Sequence, residues 1–432
     1  MELRPPRGFR DVPPELAILR KELMSRVESV FRRYGFDPLE TPAVELWEVL
    51  AGKYGEEAES RLIWRVKDPW SGRDYALRYD LTVPLARYVA SHPEIPLPFK
   101  RYQIAPVWRH EEPQRGRYRE FYQCDADIVG SPYPEADAEV LNLLVDALSE
   151  LGIAKGYRVL VNDRRILAGV FEEQLGLGDP IRVYRAIDKL DKVGAEGVRR
   201  ELEAVVGAAA AERILEIISL RGPLSEALPK LRAQYGSNKR VAEGAQHLEE
   251  VAGLLKRPEV VEFSMSLVRG LDYYTGPIFE VVMDEPRIGS VAGGGRYDNL
   301  ISLFAKRQVP ATGVSIGIDR LIDAGLEVGM FKVSRQTYTD VQVVNLTPEA
   351  YRYAWRVADL FRSWGFSVRV DLMRSGQDAQ RRKAVRAGVP VLAFVGPAEE
   401  SAGTVTLYSE RTRERVTVRL EEARDALRRM LS

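Results

Sequence analysis

The densest chemistry in the sequence lies between Val107 and Phe121. Val107-Trp108-Arg109-His110-Glu111-Glu112 is followed by Arg115-Gly116-Arg117-Tyr118-Arg119-Glu120-Phe121. Arginines on a strand, a turn and a returning strand can converge on one polyanion, because the planar guanidinium offers paired donors to phosphate or carboxylate. Phe121 could give a purine ring a flat face. A solvated hairpin of alternating charge would carry the same residues, so the loop alone points to phosphate chemistry without fixing it. Just beyond, Gln123-Cys124-Asp125-Ala126-Asp127 alternates, and strand geometry puts Gln123, Asp125 and Asp127 on one face. A polar face inside a domain needs a partner or a ligand. Ion pairing within a sheet would account for Asp125 better than for Asp127. Two further strings stand out. Arg269-Gly270-Leu271-Asp272-Tyr273-Tyr274-Thr275-Gly276 sets a tyrosine pair between glycines, which suits either an aromatic wall beside a small polar ring or sheet packing. Ala292-Gly293-Gly294-Gly295-Arg296-Tyr297-Asp298 carries a triple glycine, which suits close backbone approach to a ligand or a tight turn.

Other chemistries are poorly supplied. Cys124 is the one cysteine, so no intrachain disulfide is possible, and a small buried apolar role is expected for it. His92, His110 and His247 are far apart in sequence and, with one cysteine, cannot form a usual structural zinc site. A metal would arrive with a ligand, as Mg²⁺ does with a nucleotide. Lys plus Arg equal Asp plus Glu at 63 each, which excludes a polycation. Residues 341–432 nevertheless hold 16 Lys/Arg against 11 Asp/Glu, a local excess of five that could meet phosphates or simply be solvated. No apolar run approaches the ~20 residues needed to span a bilayer. The N-terminal residues are charged and proline-rich where a signal peptide would be apolar. The expectation is a cytoplasmic protein with no membrane partner.

These residues need elements to hold them. Leu16, Leu19, Leu23, Val27, Val30, Phe31 and Tyr34 recur at helical spacing between Pro14 and Gly35. Residues 61–67 and 73–79 flank Asp68-Pro69-Trp70-Ser71-Gly72 as a hairpin, and residues 99–108 and 118–128 flank the arginine loop as a second pair. Closely spaced strands point to an antiparallel sheet rather than a doubly wound parallel one. Helical patterning rich in Glu, Ala and Leu takes over at 188–256, and strands return at 279–283 and 313–318. The first domain is therefore discontinuous, 1–187 with 257–326, around a helical insertion. Beyond a linker at 327–339, residues 340–432 alternate strand and helix as a separate α/β domain.

On these motifs the chain resembles the class II aminoacyl-tRNA synthetases. Their second signature is such an arginine-bearing strand–loop–strand, and their third ends in Gly-x-x-Arg-Leu, here Gly317-Ile318-Asp319-Arg320-Leu321. The strings at 269–276 and 292–298 are similar to the two signatures particular to the histidyl-tRNA synthetase family. The resemblance implies that Arg109 binds the ATP α-phosphate and stabilises its transition state, that Phe121 stacks on adenine, and that Arg320 holds the γ-phosphate. It implies that Asp80, Thr82 and Asp127 bind the α-ammonium of histidine, with Leu81 and Gln123 beside them and Tyr273 and Tyr274 reading the imidazole. Arg269 would flank the α-phosphate opposite Arg109 and act in place of an additional metal ion.

The function implied is ATP-dependent activation of L-histidine to histidyl-adenylate and transfer to the 3′ end of tRNA(His). ATP would come with Mg²⁺, and no protein-bound zinc is expected. Residues 340–432 would be the anticodon-binding domain, and the family and Pro42, in the first class II motif, imply a homodimer. Two other readings share the fold: the family's paralogue that serves as regulatory subunit of ATP phosphoribosyltransferase, and a non-catalytic tRNA-sensing module. The paralogue generally lacks the terminal domain, and both would tolerate loss of the ATP arginines, which this chain retains.

Overall fold

Two ten-residue strands, Phe99–Trp108 and Glu120–Val129, lie side by side near one end of a nine-stranded sheet. The computed structural model describes residues 2–55, 58–114, 116–268, 273–286 and 289–432. The chain forms two compact units, Met1–Arg10 with Leu23–Phe331, and Asp11–Glu22 with Lys332–Ser432.

In the first unit, the strand pair is followed across the sheet by Ala311–Gly317, Ser290–Arg296, Pro277–Met283 and Tyr157–Asp163, all antiparallel. Parallel pairing appears only toward the edges, where Asp37–Pro38 joins Phe99–Trp108 and Val261–Ser264 joins Tyr157–Asp163. The antiparallel expectation therefore holds at the centre, within a mixed sheet. Register fixes the rows that matter for chemistry. Asp125 stands between Gln103 and Ser315, and Ser315 faces Gly293; Asp127 stands between Arg101 and Gly313, and Gly313 faces Gly295.

Helix Pro134–Glu150 packs against this sheet. Pro134 presets its first turn, Glu135 and Asp137 complement its positive end, and Val140, Leu141, Leu143, Leu144 and Leu148 are buried. The segment expected to be helical contains Leu190–Val206, Ala208–Ile218, Leu224–Tyr235 and Lys239–Ala252. It also gives the sheet a short edge strand, Arg221–Pro223, paired with Val261–Ser264. An Arg-Gly-Pro run has no strand propensity of its own, so this strand exists through its partner.

The triple glycine lies neither in a turn nor mainly against open space. Gly293, Gly294 and Gly295 sit inside the Ser290–Arg296 strand. A Cβ on Gly294 would fall 2.0 Å from the Gly313 carbonyl oxygen, and one on Gly295 would fall 2.5 Å from that of Pro277. Sheet packing thus demands two of the three glycines.

The second unit is a five-stranded sheet in the order Val368–Val370, Val341–Asn345, Val391–Val395, Thr404–Ser409, Arg415–Arg419, parallel in its first three strands and antiparallel after. Helices Tyr351–Ser363 and Ala423–Leu431 bury Val357, Phe361, Leu427 and Met430 against Val343, Val391 and Leu407. Helix Gln377–Arg386 keeps Arg381, Arg382 and Lys383 outward. No helix among the described residues is long and apolar enough to cross a membrane.

Candidate active site

The cleft over the first sheet holds about 320 Å³, within the range of small-molecule sites. Its cationic lining is built from three elements. Arg109 follows the Phe99–Trp108 strand, and its Nε donates to the Tyr79 carbonyl at 3.1 Å. Its guanidinium lies 4.4 Å from the centre of the Tyr79 ring and 5.3 Å from that of Phe121. Burial works against this charge, but Tyr79, Glu111 and Asp80 hold the guanidinium pKa above its ordinary value. Arg117 pairs with Glu111 within the loop. Arg320, in the first turn of helix Ile318–Glu327, donates to the carbonyls of Gly116 (3.0 Å) and Ser290 (2.6 Å).

The loop is braced from the N-terminus. Arg10 donates to Asp319 at 2.7 Å and stacks 3.7 Å from the Tyr118 ring, while Asp319 also accepts the Tyr122 amide at 2.7 Å. Gly8 gives its carbonyl to the Arg119 amide, and a Cβ there would strike Arg119 and Pro113.

The rest of the lining is polar and aromatic. Asp80 is 2% exposed and accepts from Tyr54 (2.8 Å), Tyr273 (3.0 Å) and the Val83 amide (3.0 Å). Burial raises its carboxyl pKa despite these donors. Thr82, Tyr273, Tyr274, Gln123 and Asp125 line the same cleft. Tyr54 came from no motif, since Lys53-Tyr54-Gly55 carries no signal, and only the fold brings it to Asp80.

Three expectations need restating. Leu81 turns away from the cleft: its side chain is buried with Ala105 and Val107 against Phe121, and its carbonyl accepts from Arg101 at 2.9 Å. Asp127 lies behind the lining residues, ion-paired to the fully buried Arg101 at 2.9 Å and accepting the Tyr297 hydroxyl at 2.5 Å. Ion pairing thus belongs to Asp127, while Asp125 faces the cleft, the reverse of the sequence reading. Arg269 lies outside the described residues, as does Arg115.

Arg296 of the glycine string is a clamp. It is 2% exposed and donates to Asp137 (3.0 and 2.7 Å) and to the carbonyls of Ser131 and Tyr133. His247, from the helical segment, meets the same Asp137 oxygen at 2.8 Å. Burial opposes the Asp137 charge, but His247 and Arg296 hold that carboxyl below its ordinary range. Cys124, on the other face of the Glu120–Val129 strand, is fully buried, which raises its thiol pKa well above the ordinary value. No group of three or more His, Cys, Asp or Glu among the described residues could hold a metal ion by itself.

A largely antiparallel sheet whose arginine loop and helix-borne Arg320 close on one cleft is the catalytic frame of a class II aminoacyl-tRNA synthetase. A histidyl-tRNA synthetase family profile matches residues 8–321, and an anticodon binding domain profile matches residues 340–430. The chain belongs to the histidyl-tRNA synthetase family. It is 65% identical over 429 residues to the histidine–tRNA ligase of Aeropyrum pernix, across 99% of this chain and 98% of that protein. It is 56% identical over 433 residues to that of Korarchaeum cryptofilum, across 99% of each. The crystal structure of histidyl-tRNA synthetase from a Nostoc species superposes with a TM-score of 0.84 at 28% identity, covering 99% of both chains. A Bacillus halodurans structure described as an ATP phosphoribosyltransferase regulatory subunit/histidyl-tRNA synthetase shares the fold, with a TM-score of 0.75 at 22% identity over 92% of this chain and 99% of that one.

Proposed function

We infer that the cleft is where L-histidine and ATP react. The protein catalyses ATP-dependent activation of histidine to histidyl-adenylate and its transfer to tRNA(His). The observation that carries the cleft assignment is one cavity lined by Arg109, Arg117 and Arg320 together with Asp80, Asp125 and the tyrosine pair.

The histidine carboxylate attacks the α-phosphorus, forming a mixed anhydride and releasing pyrophosphate. No protein nucleophile is needed; the reaction needs alignment and positive charge where negative charge accumulates. Arg109 is the residue for the α-phosphate, since its Nε is anchored on Tyr79 and its guanidinium lies near the Tyr79 and Phe121 rings. Arg320 takes the γ-phosphate, its guanidinium oriented by the Gly116 and Ser290 carbonyls to which it donates. Phe121 offers its ring to adenine. Arg269, by the sequence resemblance, serves the α-phosphate from the other side. Asp80 and Thr82 receive the α-ammonium with Gln123, and Asp127 supports that end from behind through Arg101 and Tyr297.

Mg²⁺ would enter with the triphosphate, and Glu111, which lines the cleft beside its partner Arg117, is the carboxylate that would help to hold it. When bound it supplies charge neutralisation at the β- and γ-phosphates. The terminal ribose hydroxyl of tRNA then attacks the activated carbonyl, forming the ester as the anhydride bond breaks and AMP and a proton leave, and residues 340–432 bind the anticodon. A homodimer in the cytoplasm is part of this reading, carried by the family. The test is pyrophosphate exchange into ATP by purified protein. Exchange that appears only with added histidine is expected; exchange indifferent to amino acid, or none, would overturn the assignment.

A further inference from the structure

Three successive residues ahead of the first helix rest against the arginine loop or a ring packed on it. Gly8 has a φ of +86°, and its carbonyl accepts the Arg119 amide at 2.9 Å. The Phe9 ring meets Trp64 edge-on, 5.7 Å between centres, and Trp64 in turn meets the His110 ring. Arg10 completes the set. Its guanidinium donates to Asp319 at 2.7 Å, reaches Asp323 at 3.4 Å and lies 3.7 Å from the centre of the Tyr118 ring. Tyr118 closes the figure by donating its hydroxyl to Asp323 at 2.5 Å. Asp319 and Asp323 stand one turn apart on the helix that carries Arg320, and Tyr118 follows Arg117 in the loop. Arg10 therefore joins the two elements that bring arginines to the cleft, yet it stands outside the cleft lining.

A second tie between the same elements runs inside the cleft, where Arg320 donates to the Gly116 carbonyl at 3.0 Å and to that of Ser290 at 2.6 Å. A γ-phosphate held by that guanidinium competes for the same donors, since a charged oxygen is the stronger acceptor. The inner tie weakens as the ligand arrives. The outer one does not, because Arg10 is not a residue of the cleft wall. We propose that Arg10 is a positioning residue for ATP: it latches the arginine loop to the helix of Arg320 and keeps their spacing when the γ-phosphate draws on Arg320. The inference rests on the function proposed above. Chemistry explains the residue type. A planar guanidinium bonds carboxylates through its edge while its face stacks on a tyrosine, which an ammonium cannot do. One side chain thus spans a helix and a loop. Charge points the same way. Asp319 and Asp323 would repel a triphosphate bound at Arg320, and Arg10 offsets them.

The test measures pyrophosphate exchange by the full chain, and calorimetric binding of ATP and of AMP, for the wild type and for Arg10→Ala. The expected result is an ATP KM raised about tenfold or more, with the histidine KM within about threefold. ATP binding should weaken by a similar factor, while AMP, which has no γ-phosphate, should stay within about threefold of its wild-type Kd. An unchanged ATP KM overturns the proposal. So does an equal loss for ATP and histidine, or for ATP and AMP, which would make Arg10 a general support of the cleft. Wild-type exchange that needs no histidine would overturn the function itself, so the two failures are told apart. Should Arg10→Ala fail to fold by its melting curve, Asp323→Ala decides, because it removes the carboxylate that both Arg10 and Tyr118 reach. An ATP KM raised about threefold or more with the histidine KM unmoved supports the latch, and an unmoved ATP KM or an equal rise in both overturns it.

Discussion

Asp125 and Asp127 stand two residues apart on one strand, and burial raises both carboxyl groups, but their surroundings give them different work. Asp127 has the Arg101 ion pair and the Tyr297 hydroxyl; Asp125 has a hydrogen bond from Ser315 and lines the cleft. This difference has a pH signature. The ordinary carboxyl value is 3.8 and that of Asp125 in the fold is about 7, so through that interval the folded protein retains a proton that the unfolded chain has released. Stability contributed by this group is present below the lower value and is lost as pH rises through the interval. Thermal melting of the free enzyme should therefore fall between about pH 5 and about pH 8 more steeply in the wild type than in Asp125→Asn. Parallel pH profiles would mean that Asp125 is ionised throughout. The alternation that puts both residues on one face was legible in Gln123 to Asp127. Which of them would find an arginine was not, because Arg101 reaches Asp127 through a cross-strand register that no local spacing encodes.

At the scale of elements, the glycine string shows how a signature can be structural and functional in one strand. Gly294 and Gly295 let the Ser290–Arg296 strand close against Pro277 and Gly313, Gly293 stays in the cleft floor, and Arg296 ties the strand end to helix Pro134–Glu150. Because His247 shares Asp137 with Arg296, the helical segment is locked to the same point. Removing Arg296 leaves the buried Asp137 with His247 alone and takes away the cation that donates to it twice. Arg296→Ala should cost about 3–5 kcal/mol in urea unfolding. A loss below about 1 kcal/mol would show that Asp137 is satisfied without it. Elements with a strong period were readable: the first helix, expected over residues 15–34, runs Pro14–Arg33, and the arginine-loop strands run Phe99–Trp108 and Glu120–Val129. Those that depend on a partner were not. Arg221–Pro223 is a strand only by pairing, three glycines carry no strand propensity, and the short helix Pro397–Ala402 has no buried face to announce it.

For the whole molecule, chemistry and tRNA recognition fall in different stretches of chain. Among the described residues the cleft is lined by residues from Asp80 to Arg320, whereas the anticodon binding domain profile begins at residue 340. Within that second stretch, helix Gln377–Arg386 presents Arg381, Arg382, Lys383 and Arg386, and Arg352 and Arg374 border a second cavity of about 450 Å³. Basic side chains around a recess suit a single strand whose bases are exposed and whose phosphates run alongside. Adenylate formation uses only small substrates, so it should survive loss of this stretch, while charging needs a macromolecule that the anticodon binding domain helps to hold. Deleting residues 340–432 should leave histidine-dependent pyrophosphate exchange within about fivefold of the full chain and lower kcat/KM for tRNA aminoacylation by about a hundredfold or more. The remaining charging should also respond less steeply to added salt, since fewer phosphates are neutralised. Equal losses in exchange and charging, with melting unchanged in the remaining unit, would mean that the terminal stretch supports the cleft rather than the tRNA.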